Sequence, residues 1–313
     1  MKVNALHFEN YRNLKDNTIA PSERVNVIYG ENANGKTNLL EALWLFCGGH
    51  SFRGAKENEL IRFDRDFFRL KMDFESGERE QSAEILFDKN KKSIKLNGVD
   101  KNSSSYLTEV FSAVVFSPEH LSLIKQGPNV RRRFLDAAIC QQRIRYASLL
   151  SQYSRIIVQR NALLKDIYKN KDLKETLFIW DDSLSVVGAQ IIKERFEYIR
   201  QMRESAKAFH KGISGDKEEL DIICQCTAKA EENDSIEIIR DKLKNAFLAS
   251  RHEDYHTGYT SVGPHRDDLD IKINGISARR FGSQGQQRSA VLSMKSSRVR
   301  TAFARLYRAT WSG

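Results

Sequence analysis

Eight consecutive residues, Gly30-Glu31-Asn32-Ala33-Asn34-Gly35-Lys36-Thr37, fit the pattern G-x-x-x-x-G-K-[ST], whose chemistry is the holding of a polyphosphate. Glycines at those positions let main-chain N–H groups curl around a β-phosphate. Lys36 supplies a point charge to the β and γ oxygens, and Thr37 offers a hydroxyl to Mg²⁺. A helix starting at Thr37 or Asn38 would turn its positive end toward the same phosphates. Far downstream, Ser283-Gln284-Gly285-Gln286 stands at the start of another helical stretch. A serine hydroxyl, a flexible glycine backbone and free helix-start N–H groups can together hold a γ-phosphate.

Three other patterns invite chemistry and are set aside. His252-Glu253-Asp254-Tyr255-His256 fits H-E-x-x-H, which binds zinc when both histidines share the face of a mid-helix turn. Here the helical pattern fades near Ser250, Gly258 to Val262 reads as strand, and the extended zinc-protease form fails at Tyr259 and Val262. Surface histidines at a helix end are the expectation. Phe178-Ile179-Trp180-Asp181-Asp182 imitates an apolar strand ending in acids, but Leu177, Trp180, Leu184 and Val187 keep helical spacing around it. The cysteines, Cys47, Cys140, Cys224 and Cys226, form neither a disulfide framework nor a zinc module, and the last two alternate as ordinary strand residues.

The elements that must carry these groups follow from periodicity. Val3 to Phe8 opens a strand, and Arg24 to Tyr29 is a β-branched run leading into the loop. Asn38 to Phe46 has helical spacing, so strand, loop and helix form one unit. Phe67–Phe74, Ala83–Phe87 and Ser93–Leu96 alternate, Asn97-Gly98 marks a hairpin, and Ser112 to Phe116 is a further short strand. From Pro118 glycines become scarce. Val130–Lys169 and Lys174–Lys211 place apolar residues three and four apart, including Leu184, Val187, Ile191, Ile192, Phe196 and Ile199. A further helix is expected over Ser235 to Ser250, then strands at Gly258–Val262 and Leu269–Ile273, with Asn274-Gly275 as a second hairpin turn.

Together, Phe8-Glu9-Asn10-Tyr11-Arg12-Asn13-Leu14, the loop Gly30–Thr37, Ser51-Phe52-Arg53, Gly263-Pro264-His265-Arg266-Asp267-Asp268 and Ser283-Gln284-Gly285-Gln286-Gln287-Arg288 resemble the RecF family, in that family's order. The resemblance runs from Met1 to about Lys295. It implies an α/β fold, the P-loop ATPase head of the ABC and SMC type, with an inserted all-helical arm domain. The expected divisions are 1–117 and 251–295 for the two parts of the head, 118–250 for the arm and 296–313 for an aberrant basic tail. It implies ATP and Mg²⁺ as cofactors and an ATP-dependent homodimer, in which Ser283, Gln284, Gly285 and Gln286 cap the nucleotide on the other subunit's loop. Arg53 becomes a nucleotide contact, and His265 and Arg266 would lie near the head interface or DNA. The implied function is ATP-dependent binding of DNA, single- and double-stranded, at gaps and junctions. In that role the family acts with RecO and RecR in recombinational repair and helps load RecA.

One part of the pattern is missing. A cassette ATPase needs four apolar residues ending in Asp, then Glu, after the signature helix, to hold Mg²⁺ and orient the attacking water. No acidic residue follows Asp270. The family is a weak DNA-dependent ATPase, but no catalytic residue is identified here, and the pattern is lost at Ser296 to Arg305. The expectation is a frameshift or premature end in the gene, and the alternative function is an ATP-binding remnant or interaction protein that does not hydrolyse.

Composition sets the outer bounds. The chain has 313 residues, 40% hydrophobic and 29% charged, which is globular rather than disordered or fibrous. No stretch approaches the roughly 18 apolar residues of a membrane helix and no secretory leader is evident, so a cytoplasmic protein is expected. The formal charge of +10 would suggest a polyanionic partner. Nine of those charges, however, lie in the acid-free residues 271–313, while residues 1–270 are nearly balanced. The case for DNA therefore rests on the ordered motifs.

Overall fold

The computed structural model describes residues 2–48, 50–76, 79–88, 91–111, 113–116, 122–167 and 170–310. Two compact units are built on Met1–Val115 and Phe116–Arg305, the residues from Leu306 onward grouping with the first, so that only the part of the last helix up to Arg305 belongs to the second.

The first unit contains β1 (Lys2–Glu9), β2 (Asn17–Ile19), α1 (Lys36–Leu45), β3 (Phe67–Ser76), β4 (Arg79–Asp88), β5 (Lys91–Leu96), β6 (Val99–Lys101) and α2 (Ser105–Val110). The strands form one antiparallel sheet in the order β2-β1-β3-β4-β5-β6. Alternation puts Phe68, Leu70, Met72 and Phe74 of β3 on one face, with Leu70 opposite Ile85 and Met72 opposite Ala83. That face joins Ala42 and Leu45 of α1, and Phe46 just after it, in a shared core. Each such large side chain taken out of water stabilises the unit by about 1.5–3 kcal/mol, which anchors α1 and hence the loop preceding it. Asn97 and Gly98 take φ of 53° and 77°, as the tight hairpin requires.

The second unit contains α3 (Ser122–Lys125), α4 (Pro128–Cys140), α5 (Ile144–Ile167), α6 (Leu177–Ser214), β7 (Leu220–Gln225), α7 (Ile236–Thr257), β8 (Asp268–Ile273), β9 (Ile276–Ser277), α8 (Ala278–Phe281) and, as far as Arg305, α9 (Gln284–Thr310). All six stripe residues expected on α6 are buried. They share one core with Leu220 and Ile222 of β7, Ile271 of β8, Leu243 of α7 and Ala290 of α9. Helix α6 has 38 residues and so is about 57 Å long. Gly215 closes it in the left-handed conformation, where a side chain would be strained. Among the described residues no helix is long and apolar enough to cross a membrane.

Three sequence expectations are corrected. Arg24–Tyr29 forms no strand: Val25, Val27 and Tyr29 are 77%, 78% and 90% exposed. A β-branched run becomes a strand only where a neighbour completes its ladder, and here Asn26 instead closes a local turn with Ser22. Ala113–Phe116 likewise joins no sheet, whereas Ser112 and Pro118 lie outside the described residues. Gly258–Val262 is a bend rather than a strand, because α7 continues to Thr257 and ends on left-handed Gly258. Helix α9 runs without interruption past Lys295 to Thr310.

Candidate nucleotide-binding site

The loop is shaped by three residues of positive φ: Gly30 at 145°, Ala33 at 68° and Gly35 at 81°. Gly35 is the most constrained. A Cβ there would stand 2.5 Å from Leu14 Cδ2 and 2.9 Å from Asn13 Oδ1, so the motif's second glycine is required by contact as well as by conformation. Ala33 tolerates its strained φ because Asn13 Nδ2 donates to its carbonyl at 2.6 Å. Lys36 folds back across the loop, its Nζ donating to the carbonyls of Gly30 at 2.8 Å and Glu31 at 2.6 Å. Helix α1 starts with no side-chain cap and no acid in its first turn. Its leading N–H groups, the Lys36 ammonium and the exposed Thr37 hydroxyl therefore present donors and positive potential where a polyphosphate would lie. Glu31, Asn32 and Asn34 are exposed on the outer side.

A chain of polar contacts braces this loop from behind. Arg12 makes a two-pronged ion pair with Glu41 of α1, Nε to Oε2 at 3.0 Å and NH2 to Oε1 at 3.1 Å, and Glu41 is fully buried. Ser51 Oγ donates to the same carboxylate. The Arg53 N–H donates to Ser51 Oγ at 3.1 Å and its guanidinium to Asn38 Oδ1 at 3.2 Å, while Asn38 Nδ2 reaches Asn13 Oδ1 at 2.7 Å. Arg53 is thus linked to the first turn of α1 with its side chain exposed.

In the other unit, Ser283 and Gln286 cap each other at the start of α9. Ser283 N–H donates to Gln286 Oε1 at 2.8 Å, and Gln286 N–H donates to Ser283 Oγ at 3.2 Å. This is a capping box. It leaves the Ser283 hydroxyl hydrogen and the N–H groups of exposed Gln284 and Gly285 with no acceptor in the turn. Gln287 locks the preceding bend by donating to the carbonyls of Ala278 at 3.0 Å and Gly282 at 3.1 Å.

These features can be set against known proteins. A family model described as an AAA domain matches residues 5–248. The DNA replication and repair protein RecF of Lachnoclostridium phytofermentans is 39% identical over 296 residues, covering 94% of this chain and 79% of that protein. RecF of Ruminiclostridium cellulolyticum is 40% identical, with 94% and 80% covered. The chain belongs to the RecF family of DNA replication and repair proteins. Among solved structures, the recombination mediator protein RecF with ATP, in the RecFOR pathway, superposes with a TM-score of 0.94 at 38% identity, covering 97% of this chain and 82% of that one. The Smc head domain of Pyrococcus furiosus, at 14% identity and a TM-score of 0.51, shares the fold alone.

Within this RecF-family chain, the residues set aside keep structural roles. Asp181 lies in α6 and pairs with Arg160 at 2.8 Å and Arg251 at 2.9 Å. His252 and His256 do share a helical face, their rings 5.0 Å apart, contrary to the expected early end of that helix. Among the described residues no group of three or more His, Cys, Asp or Glu gathers there. Burial pushes the Cys226 thiol up to about 12 and Cys224 further, against thiolate chemistry.

The Gly-Pro-His-Arg segment is a corner. His265 Nε2 lies 3.0 Å from the Thr260 carbonyl and Nδ1 3.2 Å from the Tyr153 hydroxyl, and Arg266 Nε donates to the same carbonyl at 3.0 Å. A neutral imidazole satisfies both contacts. Burial, with Arg266, Arg132 and Arg160 adding to it, holds the His265 pKa down to about 4 from the usual 6.5. Unfolding releases the ring to bind a proton at its ordinary pKa, so this contribution is complete above pH 6.5 and is lost as pH falls toward 4. Urea unfolding of wild type and His265→Gln is expected to show wild type losing about 3 kcal/mol more than the variant between neutral pH and pH 4; parallel curves would refute it.

Arg12, Asn13, Asn38, Glu41 and Ser51 brace the candidate loop, and the phosphate-loop pattern alone does not single them out. Arg12 and Asn13 lie in the turn after β1, and Asn38 and Glu41 lie on α1. A buried Glu inside the apolar stripe of α1 was the clearest available signal.

Proposed function

We propose that this RecF-family chain binds ATP and, in that state, binds DNA at single-strand gaps and junctions. In this reading Gly30 to Thr37 hold the triphosphate, with Lys36 moving from its carbonyls to the β and γ oxygens and the Thr37 hydroxyl on Mg²⁺. Arg53 reaches the nucleotide from the bracing network. Two copies associate head to tail, so that the free donors of Ser283, Gln284 and Gly285, with Gln286 behind them, cap the γ-phosphate on the other copy's loop. The head is then formed by residues 1–117 and 251–295, and 118–250 serve as the arm. The observation that carries the reading is the braced loop, in which a positive-φ backbone, an uncapped helix start and a folded-back lysine form one anion cradle. The likeness to RecF with ATP in the RecFOR pathway supports RecO and RecR as partners in helping RecA onto DNA.

Binding ATP and turning it over are separable outcomes, the second reading being binding alone; residues 271–313 supply no Asp or Glu to orient an attacking water. Fluorescent ATP binding measured beside phosphate release, with and without gapped DNA, separates the readings. ATP binding with negligible release supports the second. Release at a rate set by DNA and abolished in Lys36→Ala supports turnover, and no ATP binding at all contradicts both.

A further inference from the structure

The amide of Gln286 is fixed from two sides. Its Oε1 accepts from the Ser283 N–H at 2.8 Å, which obliges Nε2 to face the other way, where it donates to Glu218 Oε1 at 2.9 Å. The second carboxylate oxygen of Glu218 lies 3.1 Å from Nε2 of His210, a fully buried residue near the C-terminal end of α6. His210 Nδ1 in turn lies 3.3 Å from the Oγ of buried Ser293, further along α9. Glu218 is no loose surface acid, since its side chain is only 22% exposed. The chain around it is pinned: Glu219 N–H donates to Asn274 Oδ1 at 2.7 Å, and Asn274 N–H returns a bond to the Glu219 carbonyl at 2.8 Å.

We infer that Glu218 is a positioning residue for the Ser283–Gln286 turn: it orients the Gln286 amide and, through His210, ties that turn to the end of α6. With the amide locked, the turn is held in the shape that directs the Ser283 hydroxyl and the N–H groups of Gln284 and Gly285 outward. A turn shaped in advance loses less conformational freedom when it meets a phosphate than one that must be ordered on contact. Displacement of the last turns of α6 would move the same carboxylate, so the long helix and the capping turn respond together. This inference rests on the proposal that the turn caps nucleotide on a second copy.

The test is ATP-dependent self-association of the full 313-residue chain, followed by analytical ultracentrifugation with a non-hydrolysable ATP analogue. Glu218→Ala removes a hydrogen bond to a charged group and is expected to weaken association about tenfold. Glu218→Gln is expected to restore it, because the new amide oxygen still accepts from Gln286 while its NH₂ can donate to His210. At protein concentrations too low for association, analogue affinity should match wild type in both variants, and Glu218→Gln should keep the wild-type melting temperature. Ser283→Arg, which blocks the turn itself, serves as the reference and should abolish association. If Ser283→Arg associates normally, the capping reading fails and this inference with it. If Ser283→Arg fails but Glu218→Ala matches wild type, capping stands and the positioning role is overturned. Equal loss in the Ala and Gln variants with a lowered melting temperature would also overturn it, by making the role one of general stability.

Discussion

Lys36→Ala is expected to lower ATP affinity by about a hundredfold and to leave the fold intact. The ammonium already lies within the loop, bonded to the Gly30 and Glu31 carbonyls at 2.8 and 2.6 Å. These neutral acceptors are weaker partners than phosphate oxygens, so binding exchanges two ammonium–carbonyl hydrogen bonds for ion pairs with anionic oxygens. The large effect on binding comes from that exchange. The small effect on stability comes from exposure: both carbonyls are on the surface and water takes over when the lysine is removed, which costs under about 1 kcal/mol. Fluorescent ATP titration beside thermal melting checks both halves. A variant that binds ATP as tightly as wild type would remove Lys36 from the site, and one that unfolds would make its role structural.

Arg160→Met is expected to destabilise the second unit by about 3–5 kcal/mol, the largest stability effect foreseen. Arg160 has no exposed surface, and its Nε donates to Asp181 at 2.8 Å while NH1 donates to Asp254 at 2.7 Å and Thr260 Oγ1 at 2.9 Å. Its guanidinium also lies 5.3 Å from the Phe247 ring. Asp181 retains Arg251 after the change, but Asp254, fully buried, keeps only the N–H and hydroxyl of Ser261 and the more distant Ser250 hydroxyl. An uncompensated buried carboxylate accounts for most of the cost. The melting temperature should fall by about 10 °C, and Arg160→Met combined with Asp254→Asn should recover part of the loss. A change below about 1 kcal/mol in urea unfolding would mean that the cluster is not as dry as its burial indicates.

Where local periodicity decides structure, the sequence was readable. The alternation of β3 and β4, the Asn-Gly hairpins and the stripe on α6 all stand where residue spacing puts them. Two of the failures share a cause. Arg24–Tyr29 and Ala113–Phe116 carry β-branched and apolar residues, but a strand exists only with a ladder partner, and the sequence of one segment does not say whether one is present. Gly258–Val262 was misread because the end of α7 is set by left-handed Gly258 and not by the fading apolar pattern at Ser250. The Gly30–Thr37 loop and the Ser283–Gln286 turn were legible as turns from residue order, since backbone geometry there depends on glycines and short side chains. Their supports, from Arg12 and Glu41 in one unit to Glu218 and His210 in the other, are contacts between residues far apart in sequence, which spacing does not reveal.

The central claim is that ATP on the Gly30–Thr37 loop governs DNA binding. It is tested most directly by the affinity for a fluorescent gapped duplex at fixed salt, with and without a non-hydrolysable ATP analogue, for wild type and Lys36→Ala. Tighter binding with the analogue in wild type alone, and equal weak binding in the variant, is the expected result. Equal affinity with and without the analogue in wild type would contradict the claim.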